Sequence, residues 1–373
     1  MGRSLKIGSV RGIDVRLHIT FPLILLWAAV DWGAGAYLGW AGAAYGVALV
    51  LLLFACVVLH ELGHSLVAMH FGGRVKDITL LPIGGVAQMR RMPAKPVHEL
   101  LVALAGPAVN VAIAAVLAAA VWLSRDGHLP VIWRLLRLAL RPGLDGLLLY
   151  LLLANAGMAL FNLLPAFPMD GGRVFRALLA LWLGHVRATT VAARAGQLVA
   201  VAFLAGAAYL ALQDLFSPVL LLVGLFIFGA AAQELRGANV RRVLDSITAG
   251  QAVDPSNAPV LDPDQELGSV TQLAIFNHEP DFPVMRDGQL LGMLHIPHLN
   301  AAIKEHGPWA PVSSAMVVHR LSANASDTLY DVQQLLAENE ADAVTVNGDS
   351  GFLGILTRQR IGQLYASAFG AHS

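Results

Sequence analysis

The chain has 373 residues, of which 56% are hydrophobic and 13% charged, with 25 Lys and Arg balanced by 25 Asp and Glu. Soluble domains devote about a quarter of their residues to charge, so this composition excludes a wholly water-soluble protein and puts part of the chain in a bilayer. Long apolar runs crowd the first 235 residues, whereas acids, prolines and polar turns fill the rest; two regions with different solvents are expected.

In chain order, runs long enough to cross about 30 Å of hydrocarbon fall near 19–40, 43–70, 98–123, 145–163, 190–212 and 217–233. Six spans put both ends on one side. With the N-terminus inside, the inner segments hold sixteen Lys and Arg, and the outer ones only Arg125, Arg134, Arg137 and Arg141. That bias predicts a multi-pass protein of the cell (inner) membrane with both termini cytoplasmic. In the outer 124–144 segment, WRLLRLALR spaces its arginines as on an amphipathic helix lying on the surface. The first span follows a basic start, but Pro22 and Asp31 interrupt it and no convincing small-residue cleavage site follows a short core, so it reads as retained rather than as a signal peptide. Cys56 is the single cysteine, which rules out an intrachain disulfide.

The second span contains CVVLHELGHSLVAMHF, residues 56–71. Its His60, Glu61 and His64 form H-E-x-x-H, which sets two imidazoles on one helical face within reach of one Zn²⁺. Ionisable groups inside a membrane span are costly and point to function. Glu61 stands where it can hold a water rather than the metal. A catalytic zinc takes three protein ligands and keeps one open position, and no further His or Glu follows within a helical turn. Cys56 shares the face of His60 and reads as a packing residue. His18, His70 and His98 read as interfacial polar residues, and Asn110 and Asn155 as hydrogen-bonding groups between helices.

Between the second and third spans, VKDITLLPIGGVAQMR (75–90) sets Gly84-Gly85 between two β-prone runs. A tight hairpin, with Pro82 confining one arm to edge pairing, competes with a plain connector. Further on, FNLLPAFPMDGGR (161–173) carries two prolines within four residues, which stop a regular helix. Backbone opened at membrane depth must be covered by protein or line a wet cavity. Asp170 is then the candidate third ligand, and Gly171 and Gly172 let the opened backbone approach a metal closely. A surface loop at the end of the span is the alternative.

H-E-x-x-H together with Asn162, Pro165, Pro168, Asp170, Gly171 and Gly172 resembles the site-2 protease family of intramembrane zinc metalloproteases, as do GIDVRLHITF (12–21) and AGPAVN (105–110). The resemblance implies that His60, His64 and Asp170 bind one Zn²⁺, that Glu61 is the general base and acid, and that Asn162 helps to stabilise the tetrahedral intermediate. It implies a hairpin dipping into the membrane near the zinc. The implied activity is hydrolysis of peptide bonds in or near transmembrane segments of other proteins, as in regulated intramembrane proteolysis. A metal transporter or channel using the same His and Asp residues is the alternative; it has little need of an acid such as Glu61 that is not itself a ligand.

Beyond about 240 the chain repeats at an offset of 62 residues: 265–299 against 327–361 gives ten identities in 35 pairs. Each copy reads as helix, strand (FPVMR; AVTVN), turn, strand (LLGMLH; FLGILT) and helix. This resembles a pair of CBS domains, about 245–306 and 307–373, which typically pack with pseudo-twofold symmetry and often bind adenine nucleotides. The family's ribose-contacting Asp is missing from both copies, where Gly292, His295 and His298 correspond to Gly354, Thr357 and Arg360. A docking or homodimerising module therefore stands beside nucleotide sensing. The expected architecture is a polytopic α-helical membrane protein with six transmembrane helices and a re-entrant β-hairpin over 1–236, followed by a cytoplasmic α/β tandem CBS module over 237–373. Its expected partners are a transmembrane protein substrate, the lipid bilayer and a second copy of the chain, and no nucleic acid.

Overall fold

The computed structural model describes residues 4–35, 38–82, 84–91, 95–125, 138–253, 259–277, 281–287, 289–317, 321–339, 341–348 and 351–370. Most of the arginine-bearing outer segment expected to form an amphipathic helix lies outside them. Contacts divide the chain into two compact units, Met1–Ala238 and Asn239–Ser373.

The first unit opens with two strands that the apolar-run reading did not foresee, β1 (Ser4–Val10) and β2 (Ile13–His18), paired antiparallel. Lys6 reaches Asp14 across this pair at 2.5 Å, and its ammonium hydrogen bond holds the Asp14 carboxyl below the usual carboxylate range. Helix α1 (Pro22–Val30) continues as a π turn to Gly35, and α2 runs from Gly39 to His70. Strand β3 (Arg74–Leu81) returns parallel to β2, and β4 (Gly84–Arg91) closes the sheet antiparallel to β3. The order is β1-β2-β3-β4, so β4 is an edge. Ile13, Ile78 and Leu80 bury their side chains against Phe21 and Leu62, which seats the sheet on α2.

The hairpin forms, but its glycines do not make the turn. β3 ends at Leu81, opposite Gly84, and Gly84 and Gly85 open β4. Gly84 has φ +143°, open to glycine alone, and Gly85 is needed for a close approach described below. Pro82 falls outside both strands.

Helices α3 (Pro96–Ser124), α4 (Leu144–Asn162), α5 (Asp170–Leu183), α6 (His185–Leu212) and α7 (Pro218–Asp245) follow. Among the described residues five helices, α2, α3, α4, α6 and α7, are long and apolar enough to cross a bilayer. The first of the six expected spans yields only the shorter apolar helix Pro22–Gly35, which rises about 21 Å and ends before α2 begins at Gly39. Leu198, Leu212, Leu222 and Phe226 are exposed on α6 and α7; such outward apolar faces suit lipid, and the chain is a membrane protein. Helix α5 was absent from the expected spans. It is short and buries one stripe, Asp170, Gly171, Gly172, Arg176, Ala177 and Ala180.

In the second unit, Thr248 and Gln251 cap the single turn α8 (Ala249–Ala252). The first copy of the repeat is α9 (Leu267–Asn277), β5 (Asp281–Arg286), β6 (Gln289–His295) and α10 (Ile296–His306). The second is α11 (Leu329–Glu338), β8 (Ala343–Gly348), β9 (Gly351–Thr357) and α12 (Arg358–Gly370). Every element of the second copy starts 62 residues after its counterpart. Strand β7 (Ser322–Asn324) pairs parallel to β8 through Ala323 and Val346. In the first copy the same feature shrinks to one bridge, Leu261 to Val284. The cores match as well: Leu261, Phe282, Val284, Leu294 and Leu299 correspond to Ala323, Val344, Val346, Leu356 and Ile361, in two separate clusters.

Candidate metal centre

His60 and His64 lie one turn apart on α2, with ring centroids 4.7 Å apart and planes at 82°. Both are buried. Their Nε2 atoms are 3.1 Å from each other and lie 3.3 Å (His60) and 3.1 Å (His64) from Oδ2 of Asp170. Among the described residues this is the one group of three metal-capable side chains whose ligand atoms converge.

The far side of each imidazole is occupied by α3. His64 donates its Nδ1 hydrogen to the Val102 carbonyl at 2.7 Å, and His60 donates from Nδ1 to Oδ1 of Asn110 at 2.6 Å. A carbonyl only accepts, so the tautomer is fixed and the Nε2 lone pair faces inward. Between these two contacts sits Gly106. A Cβ there would overlap the His64 imidazole and come within 2.7 Å of Cε1 of His60. Pro107, which has no N–H, interrupts the helical ladder in the same turn.

Asn110 also donates to Oδ1 of Asn155 at 3.2 Å, and Asn155 donates to the Leu151 carbonyl at 2.8 Å. The interhelical bonding expected of these two residues is present, but reading them as only that missed the orientation of His60. The signal was in AGPAVN, where Gly106 and Asn110 stand four apart on one helical face.

Asp170 is the first residue of α5 and follows seven non-helical residues after Asn162. The Phe167–Pro168 peptide bond in this segment is cis. Gly171 and Gly172 were expected to let backbone approach a metal; here they let backbone approach backbone. A Cβ on Gly171 would overlap Leu163 and Leu164, and one on Gly172 would come within 2.7 Å of the Ala166 carbonyl carbon. The opened segment folds back onto the start of α5, and only glycine leaves it room.

Glu61 is half-buried beside the ligand pair. A Cβ built on Gly85 would meet Cγ of Glu61 at 3.1 Å and Cγ1 of Val57 at 3.0 Å, so the start of edge strand β4 rests against Glu61. Asn162, the last residue of α4, is half-buried and makes no side-chain hydrogen bond among the described residues. It is not part of the converging group, and neither is Cys56, which is buried and free. His18 bonds Thr20 at 2.7 Å and His98 stacks on Phe71 at 4.1 Å.

The three donors fit zinc. Two imidazole nitrogens and a carboxylate oxygen are a set that Zn²⁺ takes in catalytic sites, and donors on a tetrahedron of that size are roughly 3.3 Å apart. The three observed separations are 3.1, 3.1 and 3.3 Å. Three lone-pair atoms held this close repel one another unless a cation lies between them.

Residues 48–130 and 137–206 match Peptidase family M50. A zinc metalloprotease of Methanocaldococcus jannaschii is 34% identical over 304 residues, covering 80% of this chain and 80% of that one. The chain belongs to peptidase family M50. The site-2 protease from M. jannaschii is similar in structure, with a TM-score of 0.44 and 36% identity over 63% of this chain and 96% of that one. A CBS-domain-containing hemolysin-like protein of Oenococcus oeni matches at a TM-score of 0.32 and 17% identity, over 34% of this chain and 96% of that one. The M50 match spans all three converging side chains and the Asn110 and Asn155 bonds behind them. In this M50 metalloprotease the three side chains that could hold a metal converge between α2 and α5, with α3 behind them.

Proposed function

We propose that this M50 protein is an intramembrane zinc endopeptidase in which His60, His64 and Asp170 hold one Zn²⁺, and that it cuts transmembrane or membrane-adjacent segments of other proteins. The convergence of the three donors beside Glu61 carries this reading. Zinc supplies, when bound, a Lewis acid that acidifies water and polarises a peptide carbonyl. Glu61 takes the proton from the attacking water and returns it to the leaving amine. Asn162, uncommitted to other hydrogen bonds among the described residues, donates its amide N–H to the developing oxyanion, a contact that gains strength in a dry site. The β4 edge beside Glu61 receives an unwound substrate segment as an added strand, with the β3–β4 hairpin re-entering the membrane to do so.

A transport site has little use for an acid between two ligands that is not itself a ligand, so Glu61 favours hydrolysis. The termini face the cytoplasm of a cell-membrane protein, on the strength of the Lys and Arg bias. If α2 enters from outside near residue 43, it has risen about 26 Å at His60, which puts the zinc toward the cytoplasmic side. The repeated second unit acts as a tandem CBS module that regulates cleavage by dimerising two chains or by binding an adenine nucleotide; saturable binding of labelled ATP or AMP to the full-length protein separates the two.

The decisive comparison co-expresses the protein with a panel of single-pass membrane proteins. Wild type yields membrane-derived fragments, whereas Glu61→Gln with zinc retained, or wild type with a chelator, yields none. Full cleavage by zinc-loaded Glu61→Gln contradicts the assignment.

A further inference from the structure

Two of the three ligands have their orientation set by hydrogen bonds to α3, but among the described residues Asp170 has no such partner outside the ligand group itself. Its placement depends on where α5 sits. The segment before α5 contains no helix, and Met169 supplies no side-chain cap, so the chain leading into Asp170 does little to fix it. The buried stripe of α5 is mostly Gly and Ala, which permit close packing but impose little register.

The exception on that stripe is Arg176, buried to 8% exposure and about 9 Å along the helix from Asp170. Its Nε donates to Oε1 of Glu99 at 2.7 Å and its Nη2 donates to the same oxygen. Its Nη1 donates to Oε2 of Glu234 on α7 at 3.2 Å. The guanidinium also lies over the Phe167 ring, 5.1 Å from its centroid, so it braces the opened segment as well as the helix. Removing such a pair from water costs about as much as its attraction returns, and the best-attested use of a buried ion pair is to fix register.

Glu99, Val102, Gly106 and Asn110 are buried along one face of α3. In that order they hold Arg176, accept from His64, leave room for both imidazoles and accept from His60. We infer that Arg176, clamped by Glu99 and Glu234, is a positioning residue for Asp170, so that a single face of α3 sets the geometry of all three metal ligands while supplying none. The inference rests on the zinc reading above.

The test measures metal binding by the full-length protein in detergent. Arg176→Met combined with Glu99→Gln removes both charges of the buried pair and leaves without its partner only Glu234, whose side chain is 39% exposed to solvent. Arg176→Lys keeps the charge but loses the planar fork. Zn²⁺ affinity, from competition with a chelating indicator, falls about 10–100-fold in the double variant, the usual loss when a supporting contact is removed, and by a smaller factor in Arg176→Lys. The visible absorption of the Co²⁺-loaded protein changes in both, and the melting temperature of the metal-free double variant stays near that of wild type. Zn²⁺ affinity within twofold of wild type with an unchanged Co²⁺ spectrum overturns the inference, and so does a fall in melting temperature with affinity intact, which marks a purely structural pair. If the double variant does not fold, Arg176→Lys decides on the same two readouts. Wild type that binds neither ion overturns the zinc reading itself, and the inference with it.

Discussion

The ligands of the candidate metal centre rest on two kinds of backbone. His60 and His64 project from the interior of an unbroken 32-residue helix, whose 3.6-residue period alone puts them on one face. Asp170 begins a 14-residue helix after a stretch with no regular structure, and its place depends on close contacts made by Gly171, Gly172 and Arg176. A regular helix gives a ligand pair its spacing without help. A ligand brought in by a broken helix needs its own packing, which the opened segment supplies at Gly171 and Gly172, and its own anchor, to which Glu99 on α3 contributes.

The comparison breaks most severely at the imidazole pair itself. Gly106→Ala puts a methyl group into the His64 imidazole, and zinc content measured per purified chain is expected to fall toward zero, with cleavage lost. Glu61→Gln is the opposite case: zinc stays at wild-type content while turnover of a cleaved substrate drops by about 10²–10⁴-fold, the range of general acid–base catalysis. Gly172→Ala probes the broken half alone. Its methyl lies within 2.7 Å of backbone, so the opened segment has to shift, and zinc affinity by chelator competition is expected to fall at least about tenfold. Gly157→Ala on α4, where a Cβ meets nothing within 4 Å, changes neither affinity nor cleavage. Among the variants expected to lose affinity, the smallest effect falls on the regular half: Asn110→Ala frees the His60 ring but leaves its position on α2, and zinc affinity declines about tenfold with the far-ultraviolet circular dichroism spectrum unchanged.

These contrasts explain what could be read in the sequence. H-E-x-x-H was legible because side-chain spacing on a helix is local information. Asp170 was legible because Pro165 and Pro168 announce a break and an acid within apolar sequence has few structural uses. The repeat at 62 residues was legible to the level of matching cores. The jobs of the glycines were not, because Gly85 serves Glu61 and Gly171 serves Leu163 through approaches made only when the chain folds back on itself. Strands β1 and β2 escaped notice because membrane-length hydropathy does not register a short sheet next to a span. Helix α5 escaped for the opposite reason, since it carries Arg173 and Arg176 and is too short to cross. Asn110 read as one more interhelical amide, and only its 2.6 Å bond to His60 gives it a second role.

The central claim is that the broken segment completes the metal site begun on α2. Zinc-to-protein ratio in detergent-purified protein tests it directly, comparing wild type with Asp170→Ala and with His64→Ala as the reference for a lost ligand. About one zinc per chain in wild type, falling to near zero in both variants, is the predicted result. One zinc per chain retained by Asp170→Ala at wild-type affinity would contradict it.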